Sequence, residues 1–272
     1  MIGDVDLDHI AVAVDRHADA WPCFGADLGG AWYAAGPGDG FNWAQLAFAN
    51  GMRLEVLEPA EVERNDFLRR FLDRHGPGPH HLTFKVGDIR QALDASAAAG
   101  CTPVNVNLSH PGWKEAFLHP KDALGVVVQL AQAAADDEWS PPVAGFPAPR
   151  HDQATLLRVS HAVASLEDGL ALFRDLLGGR VLRRGSDDAA RWVELAWPGP
   201  GRVRLLEATS PASAITAWLD GRSGRVHHVA FAIRDPGSVE GAVADGDGEF
   251  EIAPHRAQGT RVMLARASSS PP

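Results

Sequence analysis

The sequence predicts an α+β fold of four βαβββ units arranged as two tandem domains. Apolar alternation and helical periodicity follow one another in a single repeated order. Three short segments recur across a proline-rich stretch: LDHIAV (7–12) and VSHAVA (159–164), RLEVLE (53–58) and RVRLLE (202–207), PHHLTFKV (79–86) and VHHVAFAI (226–233). Their spacing also agrees, 72 residues from His9 to His81 and 67 from His161 to His228. Agreement in both order and spacing marks an internal duplication.

Unit one opens with a strand at 5–14. A helix over 18–28 follows, stopped by Gly29 and Gly30. Pro22 lies inside it, so this helix is short, kinked, or begins near the proline. Strands are expected at 31–35, 42–48 and 52–57, with Asn50-Gly51 as a hairpin signal. A connecting helix covers 61–75, with Phe67, Phe71 and Leu72 at helical spacing. Unit two has a strand at 80–86 and a helix at 88–99 that is capped by Asp88 and stopped by Gly100. Its strands are expected at 102–106, 115–119 and 125–130.

The first domain therefore spans 1–133, and 134–154 is a linker in which four prolines, small residues and charges show no periodicity. The second domain spans 155–272, with strands at 159–164, 202–207 and 226–233 and a helix at 168–177 stopped by Gly178-Gly179. His81 to Gln129 is 48 residues, but His228 to Met263 is only 35. The fourth unit is expected to be trimmed, by roughly a strand and its turn.

Composition bounds the partners. Hydrophobic content is 45% and charged content 22%, as in ordinary globular chains. A net charge of -10 gives no reason to expect nucleic acid or an anionic membrane surface. Cys23 and Cys101 form no close pair, which argues against a disulfide framework and fits a cytoplasmic protein. The opening MIGDVDLDHIAVAV has three Asp and no basic head, so no signal peptide is expected, and no run is long enough for a membrane helix.

Four polar residues stand out in apolar strands: His9, Glu55, His81 and Gln129. The repeat makes His9 equivalent to His81, and Glu55 to Gln129. A twofold-like pairing of the two units puts all four on one concave face. Two imidazoles and two oxygen donors suit a divalent ion such as Zn, Ni, Co, Mn or Fe. Singly, a strand histidine is more often a satisfied core residue than a ligand, and a strand-end glutamine is ordinary. Glu55, inside LEVL, is less easily dismissed, because a buried unpaired carboxylate is costly: it needs a cation or must face solvent.

The segments LDHIAVAV, RLEVLEP, GPGPHHLTFKVGDI and AFLHPKDALGVVVQL resemble the vicinal oxygen chelate superfamily, above all glyoxalase I and methylmalonyl-CoA epimerase. The resemblance covers 4–132 well and 156–265 more weakly. It implies two glyoxalase-like domains with curved mixed sheets around a metal cleft. It implies that His9, Glu55, His81 and Gln129 are the ligands, with His80 facing the other side of its strand. The epimerase-like pattern has an amide at the place of Glu55 and a carboxylate at that of Gln129; here the two are exchanged. It also has an acid in the third strand, which 42–48 (NWAQLAF) lacks, with Ala44 or Gln45 near that place. This counts against methylmalonyl-CoA epimerisation. Glyoxalase I resembles a site with two carboxylates, and Gln129 leaves Glu55 as the one base among the four.

In the second half the equivalent positions are His161, Arg204, His228 and Met263. A guanidinium cannot ligate a cation. This half is expected to be structural, covering an apolar face or forming a homodimer contact; the alternative is an anion held by Arg204. Met263 stands where ring-cleaving extradiol relatives need a Glu. The expected activity is metal-dependent proton transfer, as an isomerase, epimerase or lyase, on a small carbonyl or acyl substrate that chelates through vicinal oxygens. Glu55 would be the base; Trp113, Lys114 and Lys121, in the segment before the last strand, could contact substrate, though ordinary surface or rim packing is the more common role of such residues. The alternatives are a ligand-sequestering protein of the bleomycin-resistance type or a ring-cleaving dioxygenase relative.

Overall fold

The computed structural model describes residues 1–134, 140–246 and 248–267. Two mixed eight-stranded sheets carry the fold. The first holds β1 (Val5–Ala13), β2 (Ala31–Pro37), β3 (Phe41–Ala47), β4 (Arg53–Pro59), β5 (Gly78–Val86), β6 (Pro103–Asn107), β7 (Trp113–Leu118) and β8 (Val127–Ala133). Their spatial order is β2-β3-β4-β1-β5-β8-β7-β6. The second holds β9 (Thr155–Val163), β10 (Arg180–Ser186), β11 (Ala190–Ala196), β12 (Arg202–Ala208), β13 (Gly224–Ile233), β14 (Ala242–Ala244), β15 (Phe250–Ile252) and β16 (Val262–Arg266) in the same order. Hairpin partners run antiparallel, whereas β5 with β8, β9 with β12 and β13 with β16 run parallel.

By packing, the chain forms two compact units, each drawing on both sheets: one contains β6–β8 with β10–β12, the other β2–β4 with β14–β16. In the first, Phe84 meets Phe173 and Trp197 at ring distances of 6.4 and 5.2 Å. In the second, Phe48 meets Phe231 at 5.0 Å, and Trp21, Trp32 and Phe146 form an edge-to-face trio at 5.2–5.9 Å. Phe146 lies in the segment expected as a linker, whose residues 146–154 pack within this unit: Arg150 N donates to Ala26 O and Ala154 N to Leu28 O. Residues 135–139 of the linker lie outside those described.

The first helix, α1 (His17–Ala20), runs on into π-type turns at Trp21–Asp27, closed by Leu28 N donating to Cys23 O. Pro22 is not the cause. The duplicate α4 (Leu166–Leu170) makes the same transition at Ala171–Leu176 with no proline there, so the wide turns belong to the fold. The connecting helix α2 (Phe67–His75) begins six residues later than expected, because Glu61 adopts φ 45 and its carbonyl takes the N–H groups of both Arg64 and Asn65 in a closed turn. In α3 (Ile89–Ala98), the Asp88 carboxylate accepts from Arg90 N and Gln91 N. α5 (Ala214–Leu219) is the counterpart of α2. The trimming of the fourth unit falls on its helix, not on a strand: a single 3-10 turn at Pro236–Ser238 stands where unit two has α3, and all its strands remain. Pro236, Gly237 and Gly241 remove the helix propensity there, while loss of a strand would open the sheet ladder. Among the described residues, no helix is long and apolar enough to cross a membrane.

A glycine device occurs twice. Leu124-Gly125 and Gln258-Gly259 both have left-handed backbones just before β8 and β16. A Cβ on Gly125 would overlap the Gly224 carbonyl, and one on Gly259 the Pro77 carbonyl. Gly51 has a similar φ of 82 but nothing near its missing Cβ. Gly125→Ala is therefore expected to cost about 2–4 kcal/mol, and Gly51→Ala only about 1 kcal/mol, in denaturant unfolding.

Candidate metal centre

Strand alternation decides which side chains share a face. On β5, His81, Thr83 and Lys85 point one way, while His80, Leu82 and Phe84 point the other. Thr83 stands beside Gln129 in the parallel β5–β8 register. Gln45 stands opposite Glu55 across β3–β4, and Phe117 opposite Gln129 across β7–β8. His9, Glu55, His81 and Gln129 are all buried, with Glu55 only 8% exposed. One ligand-capable atom from each of His9, Glu55 and His81 lies within 4.8 Å of the others. The two imidazole centroids are 5.8 Å apart and the rings are inclined by 65°.

Gln129 joins through hydrogen bonds. Thr83 Oγ1 donates to Gln129 Oε1 at 2.6 Å and contacts His9 Nε2 at 2.9 Å. Gln129 Nε2 donates to Glu115 Oε2 at 2.7 Å, and Trp113 Nε1 donates to the same oxygen at 3.0 Å. At the other end, His9 Nδ1 lies 2.7 Å from Asp8 Oδ2, and Lys85 Nζ is 3.3 Å from Asp8 Oδ1. Beside Glu55, Gln45 Nε2 donates to Oε1 at 3.1 Å. Arg53 donates to Gln45 Oε1 at 3.3 Å and lies 4.8 Å over the Tyr33 ring. Two nitrogen donors and an anionic oxygen at this separation fit one divalent ion.

His80 turns away from this face and packs on Phe71 and Phe67, at 4.8 and 6.0 Å. Burial pushes its pKa down to about 4, against a smaller upward pull from Glu55. Trp113 shares the face of Gln129, whereas Lys114 pairs with Gln132 on the opposite face. Lys121 is an exposed residue of the turn after β7. Asp8, Arg53, Thr83 and Glu115 were not singled out from the sequence, and Gln45 only as standing near the place of a missing third-strand acid. Alternation from His81 reaches Thr83, and alternation from Trp113 reaches Glu115. A third-strand acid was sought only in unit one, and Glu115 is in the third strand of unit two.

The second half corrects the expected equivalence of His161 with His9. In the β9–β12 register Arg204 neighbours Ser160, and His161 neighbours Leu205. Ser160 therefore shares the face of Arg204, and His161 points into the core. There His161 is fully buried, 2.8 Å from Leu124 O through Nε2 and 5.8 Å from the Phe173 ring. Burial pushes its pKa down to about 4. Arg204 donates to Glu194 Oε2 from both Nε and Nη2, at 3.0 and 2.6 Å, and Arg183 takes Oε1 at 3.1 Å. Burial raises Glu194, yet the two guanidiniums hold it below the usual carboxylate range. Arg204 also stacks 4.4 Å over Trp192, so its charge is already matched within the fold.

Residues 8–117 match the model described as glyoxalase/bleomycin resistance protein/dioxygenase superfamily. The chain is 28% identical over 134 residues to the uncharacterized protein YqjC of Bacillus subtilis, covering 48% of this chain and 94% of that one. It is 15% identical to a variant of 4-hydroxymandelate synthase from Streptomyces coelicolor, covering 97% of this chain and 94% of that one with a TM-score of 0.61. It is 25% identical to methylmalonyl-CoA epimerase from Mycobacterium tuberculosis, covering 48% and 89%, with a TM-score of 0.43.

The buried His161 has a consequence for acid stability. Its folded pKa lies below the ordinary value near 6.5, so between these values the unfolded chain binds the extra proton. Stability should fall as pH drops from 6.5 toward 4. His161→Gln, which keeps a donor for Leu124 O without titrating, is expected to reduce that fall by about 1–3 kcal/mol in denaturant unfolding at pH 7 and 4.5.

Proposed function

We propose that this chain, whose residues 8–117 match the model described as glyoxalase/bleomycin resistance protein/dioxygenase superfamily, is a metal-dependent enzyme promoting proton transfer on a small carbonyl or acyl substrate. Isomerase, epimerase and lyase chemistry all fit this description. The observation that carries the reading is the approach of His9, Glu55 and His81 within 4.8 Å in a buried setting. His9, His81, Glu55 and the Gln129 amide oxygen would hold one divalent ion. When bound, the ion supplies Lewis-acid polarisation to a substrate that chelates it through vicinal oxygens.

The protein's own groups do the rest. Glu55 moves the proton at its carboxylate, the one basic oxygen group of the four side chains. Gln45 fixes that carboxylate through Oε1, and Arg53 in turn fixes Gln45. An amide at 129 offers an oxygen without competing for the proton. Burial of all four side chains excludes bulk water from the proton's path.

Elemental analysis together with hydrogen–deuterium exchange tests this. The purified chain, followed by NMR in heavy water with hydroxy-ketones, 2-oxo acids and thioesters, should contain about one divalent ion and exchange the proton next to a carbonyl. Glu55→Gln should retain an oxygen ligand yet lose about 100-fold or more in exchange rate. Full metal content with full exchange in that variant removes Glu55 as base. A metal-free chain that still captures a small ligand replaces the enzyme with a sequestering protein.

A further inference from the structure

We infer that Glu115 is a positioning residue that makes Gln129 an oxygen donor to the metal; this rests on the metal reading above. A glutamine amide has two ends of nearly equal size, and only its oxygen can ligate a cation. The orientation must therefore be set by the neighbours. Thr83 cannot set it alone, because a hydroxyl both donates and accepts. A carboxylate only accepts. Glu115 Oε2 takes the Nε2 end of Gln129 at 2.7 Å, which turns Oε1 the other way, toward Thr83 and His9. Trp113 Nε1 holds the same carboxylate oxygen at 3.0 Å, so the orienting group is itself fixed.

The placement follows from register. Phe117 faces Gln129, and Glu115 lies two residues back on the same side of β7, within diagonal reach. The corresponding step in unit one, two residues back from Gln45, is Trp43. No orienting acid is required there, because the two oxygens of the Glu55 carboxylate are equivalent. The asymmetry of the ligands, carboxylate in one unit and amide in the other, is thus matched by an asymmetry in the strands beside them.

The test is the affinity for Zn2+ and Co2+, measured by competition with a chromophoric chelator on the full chain. Glu115→Ala should weaken binding about 10–100-fold. Glu115→Gln, whose own carbonyl can accept from Gln129, should recover most of that loss. The deciding measurement is the same substitution in a Gln129→Glu background. There no amide needs orienting, and Glu115 faces a second carboxylate. Removing Glu115 should then leave affinity unchanged or strengthen it. Equal loss in both backgrounds overturns the inference, because Glu115 would then only support its strand. No loss in the parent chain overturns it as well. A parent chain that binds neither ion overturns the metal reading first, a result separable from the other two.

Discussion

A carboxylate held at 8% exposure on the face of a β-sheet is the constraint on which the site depends. Glu55 has an amide donor in Gln45, which satisfies one oxygen without supplying charge. Two imidazoles converge on it. Such a group is costly to bury unless positive charge is delivered to it. The strand order accounts for the convergence: β4, β1, β5 and β8 are consecutive in the sheet, and each supplies one of the four side chains. Duplication of one unit about the β1–β5 centre brings together residues spread over most of the first half of the chain.

The second half answers the same electrostatic problem differently. At the register positions of Gln45 and Glu55 it carries Glu194 and Arg204. The buried carboxylate there meets guanidiniums of the chain itself. His161 has meanwhile moved into the core, where it serves packing and a backbone carbonyl. Loss of the fourth unit's helix fits a half that keeps its sheet and needs little else.

The four-unit strand order was legible in the repeat spacing, and the mixed sheets in the family resemblance. The polar residues placed in apolar strands singled out His9, Glu55 and His81, whose ligand-capable atoms lie within 4.8 Å of one another. What could not be read was register. The segment echo VSHAVA suggests His161 as the partner of His9, yet any odd-numbered offset reverses every side chain on a strand. Only the pairing of Arg204 with Ser160 reveals the offset. Glu115 was hidden for a related reason, since its link to Gln129 is diagonal across a hairpin whose turn length was not known. The late start of α2 depended on the left-handed backbone of Glu61, a residue type that gives no such signal.

Anomalous diffraction from crystals loaded with zinc or cobalt addresses the central claim most directly. A single peak per chain, bonded by the two imidazoles of His9 and His81, the Glu55 carboxylate and the Gln129 amide oxygen, is the expected result. A peak bound by other side chains, or no peak within bonding reach of Glu55, would contradict it.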